Sequence, residues 1–261
     1  MTADVNILLV VAISAALFFA LTNGLHDASS VVATFIACGA ATANQALAMA
    51  VVFGFLGSML GGSTVANTVT NIVSVNINPS LLVIIVSAIL AAVGWNLLTW
   101  YFGLPSSSTH ALVGGIIGAV WAASGFHQVL WGWEELFGMP HQLTGMMKVF
   151  VALMLAPPLG FAVAYLLQLL LTLALRNARN TVNRWLKGIQ WVMAAVLAFS
   201  FGANDTQKVM GLITLALMAA GHLDQQMVPL WVRSSSAAVM LIGTALGGLT
   251  IIRTLGERIF D

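Results

Sequence analysis

The stretch Gly24-Leu25-His26-Asp27 returns in altered form as Gly202-Ala203-Asn204-Asp205 in the second half of the chain. Both copies place a carboxylate beside an imidazole or an amide inside a long apolar run, where a charged side chain is costly and usually functional. A second pair of segments repeats in the same order, Gly57-Ser58-Met59-Leu60-Gly61-Gly62 and Gly243-Thr244-Ala245-Leu246-Gly247-Gly248. The sequence therefore predicts one structural unit that is present twice.

The composition sets the class of protein. The chain has 261 residues, of which 60% are hydrophobic and 7% are charged, and its mean hydropathy is +0.99. A soluble domain of this size cannot bury so much apolar surface, so we expect an integral membrane protein. The net charge of +1 gives no overall field that would attract nucleic acid. The single cysteine, Cys38, excludes an internal disulfide and a cysteine-based metal cluster.

The apolar stretches predict helical membrane spans. Stretches of about 20 residues or more, the length needed to cross a bilayer, lie at roughly 5–38, 44–66, 80–102, 109–125, 146–175, 189–220 and 229–252. The first and the sixth are too long for one simple span, and each contains its Gly-x-x-Asp motif. We expect two half-helices with an unwound centre in each of them, because irregular backbone at this depth must face protein or a wet cavity. The predicted fold is all-α, a polytopic membrane protein with inverted repeats and broken or re-entrant helices.

The loops predict how the repeats are arranged. Residues 176–187 hold four basic residues and no acid, which places them on the cytoplasmic side. The N-terminal residues carry an acid and no basic residue, so we expect the first helix to start outside and the two motif-bearing helices to run in opposite directions. The predicted units are residues 1–145, the first inverted repeat; residues 146–187, a membrane helix and basic loop; and residues 188–261, the second repeat.

The second repeat is expected to be incomplete. The two glycine-rich segments are 186 residues apart, so the counterpart of the serine-rich segment at residues 103–110 would fall near position 291, beyond Asp261. The sequence alone therefore predicts a shortened form of a longer parent, or a chain whose missing segment a second chain supplies.

The segment Gly103-Leu104-Pro105-Ser106-Ser107-Ser108-Thr109-His110 has the composition of a helix start. Proline fixes φ, and the hydroxyl side chains can cap the first turn. Four hydroxyl groups at the positive end of a helix dipole can also hold a tetrahedral oxyanion. An anion site and an ordinary capped membrane helix both fit the pattern.

Asp27 and Asp205 are the acids deep inside the predicted spans. A buried carboxylate must be paired, protonated or bound to a cation. Lys208 lies one turn after Asp205 and could pair with it. The neutral groups expected around a small cation are those of Asn23, His26 and Asn204. Polar centres in two repeated helices are typical of a secondary transporter with a site near the bilayer midplane.

Three motifs resemble those of the inorganic phosphate transporter family, in the form of its bacterial low-affinity branch. They are Thr22-Asn23-Gly24-Leu25-His26-Asp27-Ala28, Gly202-Ala203-Asn204-Asp205-Thr206-Gln207-Lys208, and Pro105-Ser106-Ser107-Ser108-Thr109-His110. The resemblance implies a multi-pass symporter of the inner or plasma membrane that carries inorganic phosphate with sodium or a proton and needs no cofactor. Its implied phosphate-binding residues are Ser107, Ser108, Thr109, His110, Asn204 and Lys208. Its implied coupling-cation residues are Asn23, His26, Asp27, Asn204 and Asp205.

Several alternatives stay open at this point. His26 and Ser30 replace two amides that much of the family has, so a proton fits the imidazole while sodium fits the amides and hydroxyls. Sulfate is the rival substrate, although a buried carboxylate acceptor favours protonated phosphate. A channel, or a non-transporting subunit that needs a partner chain, is the alternative from another class, and a homo-oligomer is also open. The sequence has no His-Glu-x-x-His zinc motif, and no acid near Ser108 and His110 could orient a triad, so we expect no enzyme.

Overall fold

The structure is a bundle of long helices. The computed structural model describes residues 2–63, 66, 79–102, 104, 106–138, 143–225 and 227–259, with side chains at all of these positions except 2, 28–30, 135 and 249–259. The helices are α1 (Thr2–Ala37), α2 (Ala43–Leu60), α3 (Ser80–Tyr101), α4 (Ser108–Ser124), the short α5 (Trp133–Phe137), α6 (Gly145–Ala174), α7 (Val182–Ala219) and α8 (Leu230–Ile259). Six of them, α1, α2, α3, α6, α7 and α8, are long and apolar enough to cross a membrane. The predicted all-helical membrane fold is confirmed.

The expected unwound centres at the two aspartate motifs are wrong. Helices α1 and α7 continue through the motifs as unbroken helices of 36 and 38 residues. The glycines serve close packing instead: a Cβ on Gly24 would lie 2.1 Å from the Met240 carbonyl oxygen, and one on Gly202 would lie 1.9 Å from the Gly54 carbonyl oxygen. Glycine here removes a side chain that neighbouring backbone leaves no room for, without giving up the helical hydrogen bonds.

Within the described residues, a helix interruption at a predicted motif lies between α3 and α4. Helix α3 ends at Tyr101 and α4 begins at Ser108, and the two helices pack against each other. With its 17 residues, α4 is too short to count among the candidate spans. Its first residue is buried in the bundle against α7, so α4 begins inside the bundle, as a re-entrant helix does.

The helices of one repeat pack against helices of the other repeat. A Cβ on Gly57 of α2 would meet the Phe199 carbonyl oxygen of α7 at 1.9 Å, and a Cβ on Gly243 of α8 would meet the Leu21 carbonyl oxygen of α1 at 2.3 Å. Phe199 and Leu21 each stand three residues before the motif glycine of their own copy. The aspartate helix of one copy thus packs on the glycine-rich helix of the other, as small residues allow.

The motif helices α1 and α7 run in opposite directions between two apolar clusters. Helix α1 contributes Phe19 to the larger cluster and Phe35, later in the chain, to the smaller one. Helix α7 does the reverse, with Ala198 in the smaller cluster and Met210 in the larger one. This antiparallel course agrees with the inverted repeat inferred from the loop charges. The unit boundaries at 145 and 187 stay predictions.

Candidate functional site

A layer of polar side chains separates the two apolar clusters. On α1 the polar residues lie between Ala20 and Val31, and on α7 they lie between Ala198 and Val209. The buried polar members of this layer on α1, α2 and α7 are Thr22, Asn23, Ser58, Thr206, Gln207 and Lys208. Polar groups shut away from water need partners or ligands, so this layer is where a substrate path has to be sought.

Lys208 stands at the centre of the α7 side of the layer. Its side chain is 3% exposed, and it forms the salt bridge with Asp205 that their spacing allows. Its Nζ also donates to Thr109 Oγ1 at 2.7 Å and to Ser108 Oγ at 3.4 Å. An ammonium group has three N–H donors, and these three oxygens take all of them. Lys208 therefore fixes the first turn of α4 onto the middle of α7.

The start of α4 has the geometry of an anion site. Ser107 is the N-cap, and its Oγ accepts a hydrogen bond from the backbone N–H of His110 at 3.4 Å. Since the Ser108 and Thr109 hydroxyl oxygens accept from Lys208, their own hydrogens are left to donate to another acceptor. The first backbone N–H groups of a helix lack intrahelical partners and carry the positive end of its dipole. Ser106 extends the hydroxyl run toward α3, where its Oγ lies 2.8 Å from Thr99 Oγ1.

The α1 side of the layer holds the second carboxylate. His26 Nδ1 lies 3.7 Å from Asp27 Oδ1, and both side chains are mostly buried. Asp27 is within Coulombic range of Asp205 and Lys208, so the two motifs contribute to one charged centre. One turn earlier, Asn23 is 0% exposed.

The Asn23 amide is the least satisfied group in this centre. Neither its oxygen nor its nitrogen has a hydrogen-bond partner among the described residues. A buried amide without partners costs free energy, and in a native protein it calls for an explanation such as a bound ion or water. Its position one turn before Asp27 makes it a candidate ligand for a cation beside that carboxylate.

The structure brings together only part of the predicted site. Ser108, Thr109 and Asp205 each contact Lys208. His110 and Asn204 are exposed. His110 lies on the other face of α4, where it lines an apolar groove of about 540 Å³ between α3 and α4. Roles for His110 and Asn204 in binding stay predictions. The Ser30 side chain, Gly103 and Pro105 lie outside the described residues.

Sequence reasoning missed two polar features of the site. Asn96 of α3 is 2% exposed, and its amide has no partner in the described part of the chain. Ser58 Oγ lies 2.7 Å from Thr206 Oγ1 and 3.1 Å from the Gly202 carbonyl oxygen, which joins α2 to α7 beside the second motif. An isolated amide in an otherwise apolar span was the available signal for Asn96. The Ser58 contact crosses 148 residues of sequence, and local pattern does not reveal it.

The fold and this layer define a multi-pass helical membrane protein. Its central polar site is formed by residues of two antiparallel motif helices, which is the architecture of a secondary transporter. The model of the phosphate transporter family matches residues 23–261. The chain belongs to this family, which confirms the resemblance drawn from the three motifs. It is a transport protein and not an enzyme, and it resides in the inner or plasma membrane.

Individual relatives agree with the family model. The chain is 36% identical to a probable low-affinity inorganic phosphate transporter of Bacillus subtilis, over 97% of this chain and 73% of that protein. It is 36% identical to one of Rhizobium meliloti, over 97% and 72%. The low-affinity inorganic phosphate transporter PitA of Escherichia coli is 34% identical over 82% of this chain and 46% of its own length. A solved structure titled the sodium-dependent phosphate transporter superposes with a TM-score of 0.76 at 20% identity, covering 96% of this chain and 78% of that one, and shows the same fold.

Proposed function

We propose that this chain carries inorganic phosphate across the membrane together with a cation by alternating access. The observation that carries the proposal is the junction of α4 with α7, where two hydroxyls and a helix N-terminus meet the Lys208–Asp205 pair inside the polar layer. Membership of the family and the names of the relatives support phosphate as the substrate. The proposal has two parts, a binding site for the anion and a binding site for the coupled cation.

Phosphate would bind at the first turn of α4. Ser107, Ser108 and Thr109 supply hydroxyl donors, and the helix end adds backbone N–H groups. Lys208 donates hydrogen bonds to the hydroxyl oxygens of Ser108 and Thr109, so the hydrogens of these hydroxyls can face the anion. Its positive charge also lowers the cost of bringing an anion into an apolar bundle.

Selectivity for phosphate over sulfate would come from the two carboxylates. Phosphate near neutral pH carries one or two protons and can donate a hydrogen bond, whereas sulfate carries none. Asp27 and Asp205 are acceptors at the edge of the site. A site with acceptors as well as donors rejects an anion that leaves those acceptors unpaired.

The cation would bind on the α1 side, at Asn23 and Asp27. Asn23 has a buried amide oxygen with no partner in the described residues, and an amide with a carboxylate is a donor set for sodium. His26, 3.7 Å from Asp27, offers a titratable imidazole for a proton instead. Sodium and a proton are therefore the two couplings to be distinguished by experiment.

The exchanged packing of the repeats supports alternating access. Each aspartate helix packs against the glycine-rich helix of the other copy, with glycine at the points of closest approach, so the two copies are interleaved around the polar layer. Inverted repeats that rock around a fixed central site open it to one side and then the other.

Uptake into proteoliposomes tests the proposal. Radiolabelled phosphate and radiolabelled sulfate are offered while a sodium gradient and a pH gradient are imposed separately. The proposal expects saturable accumulation of phosphate above equilibrium, driven by one of these gradients. Sulfate should not accumulate under the same conditions. Phosphate flux that never exceeds equilibrium would indicate a channel, and the absence of flux would indicate a subunit that does not transport alone. Either result would overturn the proposal.

A further inference from the structure

The two copies of the repeat differ at the position one turn after the motif aspartate. The first copy has Ser30 after Asp27, and the second has Lys208 after Asp205. The two aspartate helices otherwise occupy equivalent places, since each packs through its glycine against the other copy's partner helix. One half of the central site therefore carries a built-in positive charge at a position where the other half has a neutral hydroxyl residue.

The surroundings of the Lys208 ammonium are those of a small cation site. Its three contacts are a carboxylate oxygen of Asp205 and the hydroxyl oxygens of Ser108 and Thr109. Carboxylate and neutral oxygens are what a hard cation takes in proteins. The ammonium group belongs to a buried side chain on a continuous helix, so it does not leave the site as a dissolved ion would.

Charge balance favours a cation at this place. Removing one partner of a buried ion pair leaves an uncompensated charge, and that is strongly unfavourable. Asp205 has a side-chain exposure of 14%, and its neighbour Asp27 is a second acid in Coulombic range. Without the lysine, the two carboxylates and the hydroxyls of α4 would form an electronegative cavity.

We propose that the Lys208 ammonium is a tethered substitute for a coupling cation, and that its place between Asp205 and α4 takes a sodium ion when the lysine is absent. This inference rests on the proposed function, because it assumes that a coupling cation binds and leaves. It places that exchangeable cation beside Asp27 alone. The site beside Asp205 is then permanently filled in this chain. One cation fewer has to bind and leave in each cycle than the duplicated motif would suggest.

The test replaces Lys208 of the second copy by serine, the residue that the first copy has at the equivalent position, Ser30. Lys208→Ser removes the ammonium and adds a hydroxyl, and the purified variant is melted in detergent without phosphate, in sodium chloride and in choline chloride of equal ionic strength. The controls are the parent, Lys148→Ser at an exposed position, and Lys208→Ser combined with Asp205→Asn. Because phosphate and transport are absent, the outcome is independent of whether the proposed transport activity holds.

The proposal expects a gain of sodium response in Lys208→Ser. Sodium should raise its melting temperature with a half-maximal concentration at least about tenfold lower than in the parent, which corresponds to about 1.4 kcal/mol. Lys148→Ser should behave as the parent, and adding Asp205→Asn should remove the gain. If Lys208→Ser is unfolded in choline, recovery of the folded peak by sodium supports the proposal. Lys208→Asn, which introduces an amide oxygen, serves as the second variant.

Three results would overturn it. One is a sodium response no larger than that of the parent in both Lys208 variants. Another is a gained response that survives Asp205→Asn. The last is stabilisation of the variants by acid but not by sodium, which would show that protonation of the carboxylate replaces the ammonium.

Discussion

Replacing Gly202 by alanine tests the packing that positions the polar layer. The added Cβ would lie 1.9 Å from the Gly54 carbonyl oxygen and 2.6 Å from the Gly54 carbonyl carbon. Ordinary contact begins near 3.4 Å, so α7 and α2 would have to separate by about 1.5 Å. The atom in the way is backbone within a helix, and no rotamer change can relieve the clash.

The expected cost follows from two opposing terms. Overpacking a well-packed interface costs about 1–3 kcal/mol, and the severity of this clash places Gly202→Ala at the upper end. Alanine gains about 1 kcal/mol over glycine in helix propensity. The net loss in the free energy of unfolding is about 2 kcal/mol, which lowers the melting temperature by about 4–8 °C in a chain of this size.

Thermal unfolding in detergent measures this, and Gly118→Ala is the matched control. Gly118 is also within a helix, but nothing lies within 4 Å of a Cβ built there, so that variant gains propensity without a clash and should melt at or above the parent. If Gly202→Ala melts as high as Gly118→Ala, the close approach of α2 and α7 does not hold the site together, and the account of the motif glycines is wrong.

Three further outcomes are expected. Asp27→Asn and Asp205→Asn should each abolish gradient-driven uptake while membrane insertion stays intact, because they remove charges that lipid disfavours; normal uptake by both variants would contradict their assignment to the site. Ser108→Ala with Thr109→Ala should weaken phosphate binding in calorimetry by about 0.5–1.5 kcal/mol for each hydroxyl, and unchanged affinity would reduce the segment to a helix cap. Asn23→Leu, which keeps the branched shape and the number of heavy atoms, should raise the melting temperature without added cation by removing an unpaired buried amide and should lose any stabilisation by the coupling cation; a fall in the first measurement would contradict this account of the amide.

The fold was largely predictable because hydropathy alone reveals membrane helices. Each of the seven apolar stretches contains a helix. The duplicated unit indicated by the motif pair stays a prediction, with which the antiparallel course of α1 and α7 agrees. Gly24 and Gly202 were misread because a glycine in a span fits both a broken helix and a close contact. The deciding atoms belong to Met240 and Gly54, more than a hundred residues away in each case.

The site was predictable in its residue types and less so in its geometry. Asp205 and Lys208 are one helical turn apart, so their pairing follows from helix geometry. The contact of Lys208 with Thr109 joins positions 99 residues apart, and no local pattern specifies it. His110 belongs to the serine-rich motif yet faces the opposite side of α4 from Ser108, because helix periodicity separates residues that are two positions apart.

The central claim is that the first turn of α4, fixed to α7 by Lys208, holds phosphate inside the polar layer. The most direct measurement is a crystal structure of the protein with arsenate, a tetrahedral analogue whose anomalous scattering locates it. We expect one arsenate within hydrogen-bond distance of the Ser108 and Thr109 hydroxyls, and loss of its signal in the Ser108→Ala, Thr109→Ala variant. An arsenate bound elsewhere in the bundle, or one that remains in that variant, would contradict the account.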